Sequence, residues 1–296
     1  MILSGLYLSI VSGLTFGMIL SLMAGGLSLI YGVLNILDTA HGTFYMFGGF
    51  MAYIIGTVLR AGSGVMLPLS VGMIFVLGMV ILVLVIPKNM RITENSDQMN
   101  VVMILLLGVA TVGQYGVFII FGGATVAVPA LVTGATGLPG GIYLTNETLL
   151  AVGVTIVTYL ALYMFLSRTR VGNGIMACTQ NRELAEAIGI RSDRVALLAF
   201  GIGCAMSAMS GVLLGSLYSI NSGTGWDEMI IAFIIVIFGG VGKLIGSVVG
   251  GLFYGVMYSI IEYYYPALSL VVVLLLIYAV VIIKPTGLFG EVVERV

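Results

Sequence analysis

Asn35, Asp38 and the single histidine, His41, interrupt a long apolar stretch, and Gln114 stands alone in another. An ionised aspartate at the centre of a bilayer costs about 2.5–3.5 kcal/mol on insertion scales, so Asp38 needs a partner, water or an interfacial position. Two arrangements meet that need. In one, residues 31–42 make a tight turn between two spans, with Asp38 capping the second helix and His41 packing. In the other, they form a broken helix lining a substrate path. Gln114 suits an interhelical hydrogen bond or, on a protected face, a substrate contact. Asn35, Asp38, His41 and Gln114 are therefore the candidate translocation-path residues. Asp38 with His41 is too small a ligand set for a metal, and the sequence holds no nucleophile–base–acid constellation, so neither a metal site nor an enzyme is expected.

A second kind of chemistry, recognition of a protein, belongs to the polar interval 168–194, which holds five of the eleven basic residues. Inside it, Asn181 is an N-cap, Glu183 places negative charge in a first helical turn, and Gly189 stands where a left-handed residue stops the helix. Leu184, Ala187 and Ile188 share one face, making the short helix amphipathic and fit to dock on a partner. Ser192 is placed to cap the helix that follows. The run Phe238-Gly-Gly-Val-Gly-Lys-Leu-Ile-Gly-Ser-Val-Val-Gly-Gly contains glycines and a lysine but not the spacing of a phosphate loop. Its Gly246 and Gly250 form a GxxxG pair suited to close helix packing.

The elements that must position these residues are membrane helices. The chain of 296 residues is 60% hydrophobic and 8% charged, with mean hydropathy +1.21, where a soluble domain carries roughly 25% charged residues. Apolar runs of spanning length point to helices, which satisfy their own backbone in lipid. The alternating ten-residue strands of a membrane barrel are absent. The expected fold is all-α, a polytopic bundle of about 8–9 transmembrane segments in one domain over 1–296. Nine apolar segments are read at about 5–34, 43–60, 65–87, 101–121, 148–167, 195–218, 229–242, 245–262 and 267–283. Alternating sides places Lys88, Arg91, Arg168, Arg170, Arg182, Arg191, Arg194, Lys243, Lys284 and Arg295 on one side and only Arg60 on the other. The basic side is cytoplasmic by the positive-inside rule, which puts the N-terminus outside and the C-terminus inside. Trp226 and Tyr263–Tyr265 then read as interfacial aromatics of the external side, with Asp227 and Glu228 solvated beside them. The turn-rich interval 122–147 reads as an external loop. A formal net charge of −1 argues against a nucleic-acid partner. Cys178 and Cys204 form no motif, and no disulfide is expected.

Four stretches carry a resemblance. GGLSLIYGVLNILDTAHGTFYMFGGFMAY, RTRVGNGIMACTQNRELAEAIGIRSDRV, FGGVGKLIGSVVGG and the terminal Lys284-Pro-Thr-Gly-Leu-Phe-Gly occur in the order found in permease subunits of bacterial branched-chain amino-acid ABC importers. The chain resembles that family from about residue 13 to 290. It departs at Asp38 and Thr39, where the family usually reads Asn and Phe, and at the tail, where Lys-Pro-Thr stands for Arg-Pro-Gln. The resemblance implies a bacterial inner-membrane protein that binds no cofactor itself. Its partners would be a second permease (a paralogue or the same chain), two cytoplasmic ATP-binding subunits that use ATP and Mg, and an extracytoplasmic solute-binding protein. It also implies that the 168–194 loop docks on the ATPase, with Asn181, Glu183, Leu184, Glu186, Ala187, Ile188 and Gly189 as coupling residues. Urea and short-amide permeases look similar. A different class, an ion-coupled secondary transporter, would draw on Asp38, His41 and Glu262.

Overall fold

The computed structural model describes residues 2–87, 90–91, 96–138, 142–284 and 286–290. Eleven α-helices account for most of them: α1 (Ile2–Leu34), α2 (His41–Tyr53), α3 (Ser63–Val85), α4 (Ser96–Phe121), α5 (Asn146–Arg168), α6 (Arg170–Gln180), α7 (Arg182–Ala187), α8 (Ser192–Tyr218), α9 (Thr224–Gly239), α10 (Leu244–Tyr264) and α11 (Ser269–Ile283). A π-helical turn, Ile54–Val58, extends α2. The fold is an all-α polytopic bundle. Seven helices are long and apolar enough to cross a membrane: α1, α3, α4, α5, α8, α10, and α11 with the 3-10 turn before it.

Each of the nine apolar segments finds a helix, but two of them, α2 and α9, are about half-length. Their starting points show why. Two-thirds of the way along α1, the Met23 carbonyl accepts from His41 at the start of α2. Halfway along α8, the Ser207 hydroxyl donates to the His41 carbonyl, 2.8 Å away. Residues 35–40 therefore double back from the end of α1 into the middle of the bundle, where α2 begins. The same device recurs after α8. Residues 219–223 return inward, and α9 begins with Gly225 against Gly42.

These two returns are alike in detail. Each opens on a non-glycine residue with positive φ, Asn35 (54°) and Ser219 (74°). Asparagine tolerates this conformation better than most residues, and Ser219 holds it against the usual preference. Each then uses an Asx turn: the Asp38 carboxylate accepts from the Ala40 amide, and the Asn221 side chain from the Gly223 and Thr224 amides. From their meeting point the half-helices run in opposite directions. The far end of α2 reaches the 122–134 segment, where Gly56 meets Pro129, while the far end of α9 reaches α10, where Gly239 meets Gly246. The order long helix, return, half-helix, two further helices thus appears in α1–α4 and again, inverted, in α8–α11. Packing follows the inversion: α3 lies on α8 with Gly78 at Cys204, and α10 lies on α1 with Gly251 and Gly255 at Gly17 and Gly13. Such inverted repeats, with broken helices between them, are a known architecture of membrane transporters.

Glycine is required at the centre. A Cβ on Gly42 would strike the Gly225 carbonyl, and one on Gly225 the Gly42 carbonyl. Close approach of this kind, together with the buried Ser28–Ser247 hydrogen bond of 2.7 Å between α1 and α10, is how helices associate where lipid offers no hydrophobic drive. Large apolar side chains of α3, α4, α5 and α11, such as Leu84, Ile119, Val157 and Ile282, point outward, as expected of a face turned to lipid.

Two elements were not anticipated. A β-hairpin, β1 (Ala135–Leu138) with β2 (Ile142–Thr145), sits in the 122–147 interval, and Val126 pairs with Ile220, so the interval folds back over the end of α8. The polar loop also holds a second helix, α6, buried through Gly172, Gly174, Ile175 and Cys178. Both cysteines are free and buried.

Candidate functional site

The basic interval gathers at one end of the bundle. Arg91, Glu186, Arg191, Ser192 and Arg194 line one cleft there, and Gly32 of α1 adjoins Gly242 and Thr179. The terminal motif joins them, because Leu288 and Phe289 donate to the carbonyls of Phe238 and Gly239. Two of the four stretches thus meet in space. Arg60 lies at the other end, just past the π-helical turn, while Lys88 and Arg295 fall outside the described residues.

Helix α7 has the expected ends. Asn181 Oδ1 accepts from the Leu184 amide at 3.0 Å. At the other end the Gly189 amide donates to the Glu186 carbonyl and the Ile190 amide to the Ala185 carbonyl, a Schellman stop with Gly189 at φ 90°. Ala185 is buried, whereas Leu184 and Ile188 are 66% and 76% exposed. Asn181, Glu183, Ala187 and Gly189 are exposed as well. An apolar face left exposed among the described residues is what a docking surface needs. One assignment changes. Ser192 does not cap α8, as its hydroxyl donates to the Glu186 carboxylate instead. Glu186, read as a docking residue, also accepts from Arg182 Nε at 2.8 Å, so it ties α7 to α8 within the chain. Those bonds, from Ser192 first and then Arg182, hold its carboxyl below the usual range.

The central residues divide into two groups. Asp38 and His41 are fully buried and bonded to each other, Nδ1 to Oδ2 at 3.1 Å. His41 Nε2 must donate, since its partner is the Met23 carbonyl at 3.0 Å. The carboxylate of Asp38 accepts on the other side. The pair therefore holds one shared proton, as imidazolium with carboxylate or as neutral imidazole with carboxylic acid. Either form is net neutral, which is what allows it to be buried. Asp38 and His41 pin the return of the chain and are not among the residues that line the cavity beside them. Residues 35–40 match neither arrangement in full: they make a return with an Asx turn, but α2 starts in mid-bundle as a half-length helix and its N-cap position is Ala40, not Asp38.

The cavity lies beside them, where the two half-helices meet α4. Thr39, Thr43, Gln114, Ser222, Trp226 and Met229 are among its lining residues. Of the candidate path residues its lining takes in only Gln114; Asn35, just past the end of α1, is not part of it. Gln114 Oε1 accepts from the Trp226 indole, which confirms Gln114 as an interhelical hydrogen-bonding residue. Trp226 is thereby corrected: it is inside the bundle, not an interfacial anchor. Glu228 is corrected with it, having one buried carboxylate oxygen without a partner among the described residues, as has the Tyr254 hydroxyl. Asp227 remains exposed. Thr39, Thr43 and Ser222 escaped notice in the sequence because single hydroxyls in apolar helices are commonplace. Their only signal was proximity to Gly42 and Gly225. Glu262 is exposed. Among the described residues no group of acids, cysteines and histidine could hold a metal ion.

The family model for the permease component of branched-chain amino acid transport systems matches residues 9–281. The permease protein LivH of the high-affinity branched-chain amino acid transport system of Escherichia coli K12 is 31% identical, over 95% of this chain and 94% of its own. LivH of Salmonella typhimurium is also 31% identical, with the same coverage. The permease protein BraD of Pseudomonas aeruginosa is 29% identical over 95% of both chains.

Proposed function

The chain belongs to the branched-chain amino acid transport permease family, and on that premise we propose that it is the membrane subunit of an ATP-driven importer for branched-chain or other small apolar amino acids. It works as a single permease domain paired with a second permease. Two cytoplasmic ATPases, which use ATP and Mg, engage the 168–194 loop, and an extracytoplasmic binding protein delivers the substrate. The basic end faces the cytoplasm of a bacterial inner membrane, with the N-terminus outside and the C-terminus inside.

The observation that carries this reading is α7, a capped and stopped helix presenting Leu184, Ala187 and Ile188 to solvent at the basic end. A helix so short is not stable by itself. Here the cap, the Schellman stop and the Glu186 ties fix it while its apolar face stays free. A partner that moves between two states and grips that face differently in each would shift the bundle between outward- and inward-open forms. Both the membrane subunit and its partners can be tested by copurification in mild detergent. An ATP-binding subunit should accompany the chain, and Ala187→Arg should remove it. Purification free of any ATPase at native expression levels contradicts the reading.

A further inference from the structure

The cavity between α2, α4 and α9 has features that an internal hydrogen-bonding role does not use. Two half-helices, α2 and α9, direct their N-termini at the same point, with Gly42 and Gly225 in contact. The amides of Ala40, His41, Gly223 and Thr224 are already taken by Asp38 and Asn221, and those of Thr43 and Trp226 by the Ala40 and Gly223 carbonyls. The Gly42 and Gly225 amides are the donors that remain, with the partial positive charge of the two helix ends, to favour an anion. The second observation is a side chain. Ser222 lines the cavity, is only 9% exposed, and among the described residues its hydroxyl makes no hydrogen bond. Gln114 adds an amide whose oxygen is taken by Trp226, leaving its NH2 group as a donor into the same space. Thr39 and Thr43 donate elsewhere, to the carbonyls of Met103 and Ala110, and so leave hydroxyl lone pairs rather than protons. No arginine or lysine lines the cavity, so an anion there is held by hydrogen bonds and helix ends alone, which compensate its desolvation only in part.

We infer that this cavity is a transient subsite for the carboxylate of an amino acid in passage, held by Ser222, the Gln114 amide and the two helix N-termini. The inference rests on the proposed importer function and names the part of the substrate that the site reads. A weak site without a salt bridge suits transit, because a step on a path must release what it binds. The cavity holds about 10 Å3, on the scale of a single water. A carboxylate therefore enters as Trp226 parts from Gln114, and the indole N–H then turns to the bound oxygen.

That separation supplies the readout, since Trp226 is the only tryptophan. The full-length chain, purified in detergent, is titrated with leucine, with 4-methylpentanoate (carboxylate, no ammonium), with leucinamide (ammonium, no carboxylate) and with chloride, while indole emission is followed. Leucine and 4-methylpentanoate should both shift the emission, and leucinamide and chloride should not. Ser222→Ala should weaken the response about tenfold, the loss expected for one hydrogen bond to a charged acceptor. A change that leucinamide or chloride produces as well as leucine does, or no change with either carboxylate, overturns the site. ATP-driven leucine uptake by the assembled complex is measured in parallel. Uptake without a carboxylate-dependent signal rejects the subsite and leaves the importer standing; a signal without uptake does the reverse.

Discussion

His41 is bonded on both sides, so its removal leaves the Asp38 carboxyl buried beside a void. His41→Ala should cost roughly 3–5 kcal/mol, the range for breaking a buried pair on one side, and should appear as a lower melting temperature in detergent. Asp38→Asn should stay within about 1 kcal/mol, because an amide can still accept from Ala40 and donate to a neutral ring. Equal losses in the two variants would contradict the shared-proton pair. Glu186 gives a pH prediction. Its folded pKa lies below the usual value, so the hydrogen-bonded form contributes stability above the ordinary carboxylate range and loses it as pH falls through the lowered folded value. Protection of the α7 amides, corrected for intrinsic exchange rates, should therefore hold near neutrality and fall below about pH 4. Ser192→Ala should move that loss to higher pH, and an unchanged midpoint would contradict the tie. Asp38 was recognisable in the sequence as needing a partner; that His41 supplies it was not, since His41 read as a packing residue. That neither of them lines the cavity was not legible either, since that depends on the 35–40 return.

At the scale of elements, α7 was legible because caps and stops are local: Asn181, Glu183 and Gly189 act within a few residues of one another. Helix α6 was not: it is amphipathic, with Gly172, Gly174, Ile175 and Cys178 on its buried face, but it is short and polar enough overall to read as loop. Half-length α2 and α9 read as spans because an apolar run has the same composition whether it starts at a surface or in mid-bundle. Trp226 was misplaced for the same reason: its neighbours Asp227 and Glu228 look like a membrane edge, and only the 219–223 return carries them inward. The half-helix contact makes its own prediction. Gly225→Val puts a branched side chain against the Gly42 carbonyl and should destabilise by about 1–3 kcal/mol through overpacking. Gly153→Val, at a glycine of α5 with open space around it, should be nearly neutral. A melting temperature unchanged in both would contradict the packed half-helix junction.

For the whole molecule, the charge pattern and the fold agree on which residues share an end, and the orientation proposed above rests on the positive-inside rule. Tyr265→Cys, at an exposed position at the end away from the basic residues, should react with an impermeant thiol reagent added outside intact cells, in a Cys178→Ser background. Ile188→Cys should react only after permeabilisation. The opposite pattern would invert the topology. The central claim is that the energy for transport arrives through a partner at α7 and not through an ion gradient. The most direct measurement is leucine uptake into proteoliposomes that hold the assembled complex, with loaded binding protein on the outer side and ATP enclosed, and with ionophores that collapse every gradient. Uptake should persist under these conditions, should vanish without ATP, and should fall together with binding-protein-stimulated hydrolysis in Ala187→Arg at matched protein levels. Uptake that stops with the ionophores and is indifferent to ATP, or that continues at the parent rate in Ala187→Arg, would contradict the account.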